Sequence, residues 1–84
     1  MSHVFINYLY MNDEIHIGKM IHEKMEEERR SADWLAGKLS CTCANIYKIF
    51  CKANIDSFRL IQIGRALNYD FFNRISVILN KKND

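Results

Sequence analysis

The sequence predicts an all-α domain of five helices preceded by an extended N-terminal arm. Three observations carry this expectation. Proline is absent and only 3 glycines occur among 84 residues, so little in the chain interrupts a helix. From Ile17 to Leu79 the apolar residues recur at intervals of three and four, the period of helices that bury one face. Ser31, Thr42, Asp56 and Asp70 each stand ahead of such a segment, where a short side-chain oxygen accepts from the free amides of a first helical turn.

Length and a hydrophobic content of 49% make this one small domain. The expected divisions are an arm over 1–14, a helical domain over 15–79 and a polar, frayed tail over 80–84. In the arm, Val4-Phe5-Ile6-Asn7-Tyr8-Leu9-Tyr10-Met11 is rich in β-branched and aromatic residues, which predicts a strand. A lone strand needs a partner, either the same segment of a second chain or the Ile75–Leu79 run. An arm packed on the helices without regular pairing is the alternative.

The first helix is expected from about Ile15 to Glu28, burying Ile17, Met20, Ile21 and Met25. Glu26, Glu27 and Glu28 near its C-terminal end oppose the helix dipole, and Arg29 and Arg30 partly offset them. These acids read as a solvated face. Behind Ser31, Trp34, Leu35 and Leu39 define a short second helix. Ser40 and Cys41 break the period, Thr42 caps again, and Ile46, Ile49 and Phe50 mark a third helix after a very tight connection. Two short helices so closely joined share a core by crossing steeply, with the small Ala36 at the approach. The stretch Ser31–Phe50 therefore predicts a helix-turn-helix. After a loop over Lys52-Ala53-Asn54-Ile55, Asp56 caps a fourth helix with Leu60, Ile63, Gly64 and Leu67 on its stripe, Gly64 allowing close helix approach. Asp70 caps a fifth carrying Phe71, Phe72, Ile75 and Ile78 or Leu79.

Leu35-Ala36, Leu39, Cys41, Thr42, Ile46 and Ile49 match the apolar and small-residue frame of a known family. Ile17-Gly18-Lys19-Met20-Ile21 fits its first helix and Leu60-Ile61-Gln62-Ile63-Gly64-Arg65-Ala66-Leu67 its fourth, in register without a gap. Over about residues 15–79 the chain thus resembles the Xre/Cro-type, lambda-repressor-like helix-turn-helix transcriptional regulators. The resemblance implies a sequence-specific DNA-binding regulator, with a recognition helix at about 42–51 in the major groove of double-stranded DNA. It also implies a homodimer whose recognition helices read half-sites about one helical turn, roughly 34 Å, apart. Many members carry glutamine where this chain has Ala32, arginine or another long polar residue at Cys43, and glycine at Arg29. The first two departures favour an alternative, a protein-interaction module that keeps the fold with weak or no operator recognition, such as an antitoxin-like partner supplied in trans.

On the DNA reading, the first turn and outward face of the recognition helix present Thr42, Cys43, Ala44, Asn45, Tyr47 and Lys48, followed by Lys52. Thr42 and Asn45 suit a phosphate or a base edge, Tyr47 a thymine methyl or a phosphate, and Lys48 and Lys52 phosphates. The net charge is only +2, so the cationic footprint must come from local clustering.

The pair Cys41 and Cys43 spans one residue. Cys41 is expected to point into the core and Cys43 to sit where a helix dipole lowers a thiol pKa, which suits a redox-sensitive contact. Zinc would need two more ligands, and the spacing to Cys51 fits no zinc finger. His16 and His22 do not share one ligand edge and read as surface histidines. No Gly-rich phosphate loop, His-Glu-x-x-His segment or nucleophile-base pattern appears, so neither an enzyme nor a metal or cofactor site is expected. No apolar stretch approaches the ~18 residues that span a bilayer. Without a recognisable export signal and with 3 cysteines, an odd number, the chain is expected in the cytoplasm with reduced thiols.

Overall fold

The computed structural model describes residues 15–83. Five helices follow one another: α1 (Ile17–Glu27), α2 (Ala32–Leu39), α3 (Cys43–Phe50), α4 (Ser57–Leu67) and α5 (Phe71–Asn83). No strand occurs among the described residues. The expected strand Val4–Met11 lies outside that range, but its suggested intrachain partner does not. Residues 75–79 are helical, so they offer no strand edge.

The predicted caps account for four of the five helix starts. Ser31 Oγ accepts from the Trp34 amide at 3.1 Å and Thr42 Oγ1 from the Asn45 amide at 3.2 Å. Asp56 Oδ1 accepts from the Arg59 amide at 2.8 Å and Asp70 Oδ1 from the Asn73 amide at 3.0 Å. Each such cap is worth about 1 kcal/mol. α1 begins at Ile17, two residues later than expected, because His16 Nδ1 accepts from the Lys19 amide at 3.1 Å. An imidazole is not among the usual capping groups, so nothing in the residue type of His16 announces a cap.

Three helices end on left-handed residues that are not glycine: Arg29 (φ 57°), Ser40 (φ 56°) and Asn68 (φ 54°). In each case the next amide reaches back five residues, Arg30 to the Met25 carbonyl (2.9 Å), Cys41 to Ala36 (3.0 Å) and Tyr69 to Gly64 (2.9 Å). These bonds satisfy carbonyls that a helix end otherwise leaves free. They also offset a left-handed penalty of about 1–2 kcal/mol for a side-chain-bearing residue, so the absence of glycine at Arg29 does not prevent the stop. At the other end of the chain the expected frayed tail is helical, α5 continuing through Asn80 and Lys81 to Asn83. Polar residues do not terminate a helix; the Gly or Pro that would is missing.

The core is drawn from every helix. Ile21, Met25, Leu35, Ile46, Ile63 and Phe71 are its largest fully enclosed side chains. α3 packs against α2 and α1, and α2 against α4. Ala36 is buried as the close approach of α2 and α3 requires, and Cys41 lies partly buried against the core.

One joint between α1 and α3 was not foreseen. The Ile17 and Gly18 amides donate to the Ala53 and Lys52 carbonyls, both at 2.9 Å, so the free amides of one helix start meet carbonyls just past another's end. A Cβ on Gly18 would collide with the Ile49 and Phe50 carbonyl oxygens and stand 2.7 Å from that of Lys52. The close approach expected at Gly64 is real but differs in kind. Its neighbour is the Tyr69 carbonyl, 2.7 Å from where a Cβ would sit, in the turn after its own helix rather than on another helix.

α5 is anchored chiefly through Phe71. Phe72 and Leu79, two of the apolar residues that mark this helix in the sequence, are both 46% exposed, and the described residues extend over 46 × 22 × 21 Å. Among the described residues no helix is long and apolar enough to cross a membrane.

Candidate nucleic-acid interface

α2 and α3 are separated only by Ser40, Cys41 and Thr42. The left-handed Ser40 turns the chain, the bond from Cys41 to Ala36 closes the end of α2, and Thr42 immediately caps α3. With Ile46 and Ile49 committed to the core, the other side of α3 is left to solvent. Thr42, Ala44, Asn45, Tyr47, Lys48 and Lys52 are exposed there and Cys43 half-exposed. All seven residues singled out from sequence therefore belong to one short helix or its two ends.

The two edges of that face differ in charge. Along the α4 side, Asn45, Lys48 and Lys52 line a groove of about 250 Å³ together with Asn54 and Arg59. Arg59 sits in the first turn of α4, its guanidinium Nη1 donating to Gln62 Oε1 at 3.4 Å. Asp56, also on this groove, has one oxygen engaged by the Arg59 amide. Three cations against one capping carboxylate make this the basic edge. Asn54 and Arg59 were not singled out from sequence, and no local motif marks them; only the return of the chain into α4 brings them beside α3.

Along the α1 side the face is aromatic and acidic. Tyr47, 58% exposed, meets Phe50 edge to face with ring centroids 5.8 Å apart, and Phe50 in turn stacks against His22 at 4.5 Å. His22 Nε2 lies 3.6 Å from a Glu26 carboxylate. The acidic end of α1 is balanced mainly by Lys24, whose ammonium reaches Glu27 at 3.4 Å and Glu28 at 3.1 Å, and which also lies 4.4 Å from the centroid of the Tyr69 ring. Arg30, expected to offset the acids, instead stacks on Trp34 at 4.4 Å.

Cys43 falls on this acidic side, which reverses the expectation for its thiol. Its pKa is raised, first because the Asp33 carboxylate accepts a hydrogen bond from the thiol, then through burial and the charge of Asp33; hydrogen bonding to Tyr47 acts the other way and is smaller. The carboxylate that raises it is delivered by the α2–α3 crossing from ten positions earlier in the chain. Along the chain Asp33 is simply an acid in the first turn of α2. Replacing Asp33 with Asn is expected to speed alkylation of Cys43 by iodoacetamide at pH 8, read by peptide mass spectrometry against Cys51. An unchanged Cys43 rate would show that the carboxylate does not restrain it.

Among the described residues no group of three or more His, Cys, Asp or Glu side chains is placed to hold a metal ion. Compared with known proteins, the chain matches no family model, no curated protein and no solved structure.

Proposed function

We propose that this chain is a DNA-binding transcriptional regulator of the Xre/Cro helix-turn-helix type, with α3 as the recognition helix in the major groove. The observation that carries the reading is the juxtaposition on α3 of a core-free outward face with a basic groove. Asn45, Lys48, Lys52 and Arg59 converge on one edge of a helix whose capped N-terminus also faces out. Phosphate contacts set the position of a protein on a duplex, and this edge supplies them. The first turn and Tyr47 then face the bases. The reading is non-enzymatic, and a second copy of the chain is the further partner it implies.

A second reading is favoured by one observation, the acidic character of the opposite edge. Asp33 beside Cys43 repels a second strand of phosphates, and Ala32 and Cys43 offer no bidentate base contact of the kind worth about 1–3 kcal/mol. On that reading α3 docks against a protein supplied in trans, in the manner of an antitoxin-like partner. A fluorescence titration with a random-sequence duplex at two salt concentrations separates the two. Binding that weakens steeply as salt rises, with Lys48→Ala reducing the log–log slope by about one, supports the regulator. Absence of duplex binding at low salt ends it. A selection from random duplexes then reports the operator.

A further inference from the structure

The acidic edge of the α3 face holds a carboxylate that no cation matches among the described residues. Asp33 is exposed in the first turn of α2, and the ion pairs formed among the described residues all lie on α1. Glu26, on the same edge, is by contrast met by His22 at 3.6 Å. Asp33 instead receives the Cys43 thiol, which donates to its carboxylate and is also hydrogen-bonded to Tyr47. These three side chains link the start of α2 to the first two turns of α3. A thiol donates one hydrogen, so it engages one carboxylate oxygen and leaves the other open to accept.

An ionised carboxylate only accepts, and that restricts what it can meet on a base edge. In the major groove guanine presents two acceptors, thymine an acceptor and a methyl group, and adenine an acceptor beside its amino group. Cytosine alone presents an amino donor and no acceptor. The other residues at the start of α3 do not compete for that contact. Ala44 has no polar side-chain atom, Thr42 Oγ1 is engaged as the cap of α3, and Asn45 lines the groove of the basic edge. We propose that Asp33 is a base-reading residue, its carboxylate positioned by Cys43 and accepting from the exocyclic amino group of a cytosine in the bound duplex. The inference rests on the duplex-binding reading and gives the acidic edge a place in it. A carboxylate that meets a base amino group discriminates, where one that meets phosphate only repels. Cys43 acts through Asp33 and is a positioning residue.

Selection from random duplexes, run in parallel on the full wild-type chain and its variants, tests the assignment. Asp33→Asn is expected to replace a selected cytosine by adenine at one position, because an amide matches both the amino group and N7 of adenine. Titration with two duplexes that differ only at that pair gives the size of the effect. The wild type should prefer cytosine to adenine by at least about fivefold, the low end for a base-edge contact, and Asp33→Asn should reverse the preference. Asp33→Ala should lose it without gaining another. Cys43→Ser, which keeps a donor to Asp33, should retain the preference, and Cys43→Ala should reduce it while the bases selected elsewhere stay the same. Asp33 is exposed and Ser31 caps α2 without it, so these variants should fold, which circular-dichroism melts check. An Asp33→Asn chain that selects the wild-type sequence and binds every duplex more tightly overturns the proposal, the carboxylate then only repelling phosphate, and leaves the duplex-binding reading standing. So does a wild type that binds duplexes without sequence preference. A wild type that binds no duplex at low salt ends both.

Discussion

Replacing Gly18 with Ala is expected to destabilise the fold by about 3–5 kcal/mol, although Ala is the better helix former by about 1 kcal/mol. The new Cβ would meet the Ile49, Phe50 and Lys52 carbonyl oxygens. These are main-chain atoms near and just past the end of α3, so no side chain can swing away. Relief requires α1 and α3 to separate, which breaks the bonds from Ile17 to Ala53 and from Gly18 to Lys52 and leaves buried polar groups unpaired. A domain of this length has roughly 4–13 kcal/mol of total stability, so a loss of that size removes a large part of it. At about 4–8 °C per kcal/mol, the melting temperature should fall by more than 10 °C.

Gly37→Ala is the matched control. Nothing lies within 4 Å of a Cβ added there, so helix propensity acts alone and the variant should be more stable by about 0.5–1 kcal/mol. Thermal melts of the two variants should therefore move in opposite directions. A Gly18→Ala melt within a few degrees of the wild type would mean that the α1–α3 joint is looser than its distances imply.

The second large effect concerns the basic edge. Substituting Lys48, Lys52 and Arg59 together by alanine removes the three cations that face the α3–α4 groove. At about 0.9 in slope per phosphate contact, the triple variant should lose about 2.7 from the log–log salt dependence of duplex binding. Between 50 and 200 mM salt that component alone corresponds to about a 40-fold change in affinity. All three residues are at least partly exposed and outside the buried core, so the melting temperature should stay close to that of the wild type. Unaltered salt dependence in the triple variant would remove this groove from the DNA contact and favour docking to a protein.

The helix starts were legible because they depend on local chemistry. Ser31, Thr42, Asp56 and Asp70 each accept from an amide three residues ahead, an interaction that spacing alone describes. The buried faces of α1 through α4 were legible for the same reason, since a 3.6-residue period is visible without coordinates. What was missed needed three dimensions or an uncommon residue. His16 caps with an imidazole, and Arg29 and Ser40 turn left-handed without glycine, so their residue types gave no signal. The packing role of Gly18 has no local signal because its crowding comes from carbonyls more than thirty residues away. The seven residues on and around α3 lie close together, as their spacing implies, but their electrostatic surroundings do not follow from spacing. The contrast between the Arg59 edge and the Asp33 edge arises from neighbouring helices, and it reversed the expected direction of the Cys43 thiol.

The pairing of the Ile17 and Gly18 amides with the Lys52 and Ala53 carbonyls also bears on how the chain reaches this shape. It closes a loop of roughly 35 residues, an entropic cost met once and repaid only when both helices are in place. Local capping and the Ser40 turn can form α2 and α3 early, and closing this loop then fixes them against α1. Proton exchange at the Ile17 and Gly18 amides should accordingly occur through whole-molecule opening rather than fraying, although they lie in a first helical turn. The residues that would meet a duplex are thus held in part by a long-range contact, which couples the exposed face to the closing of the core.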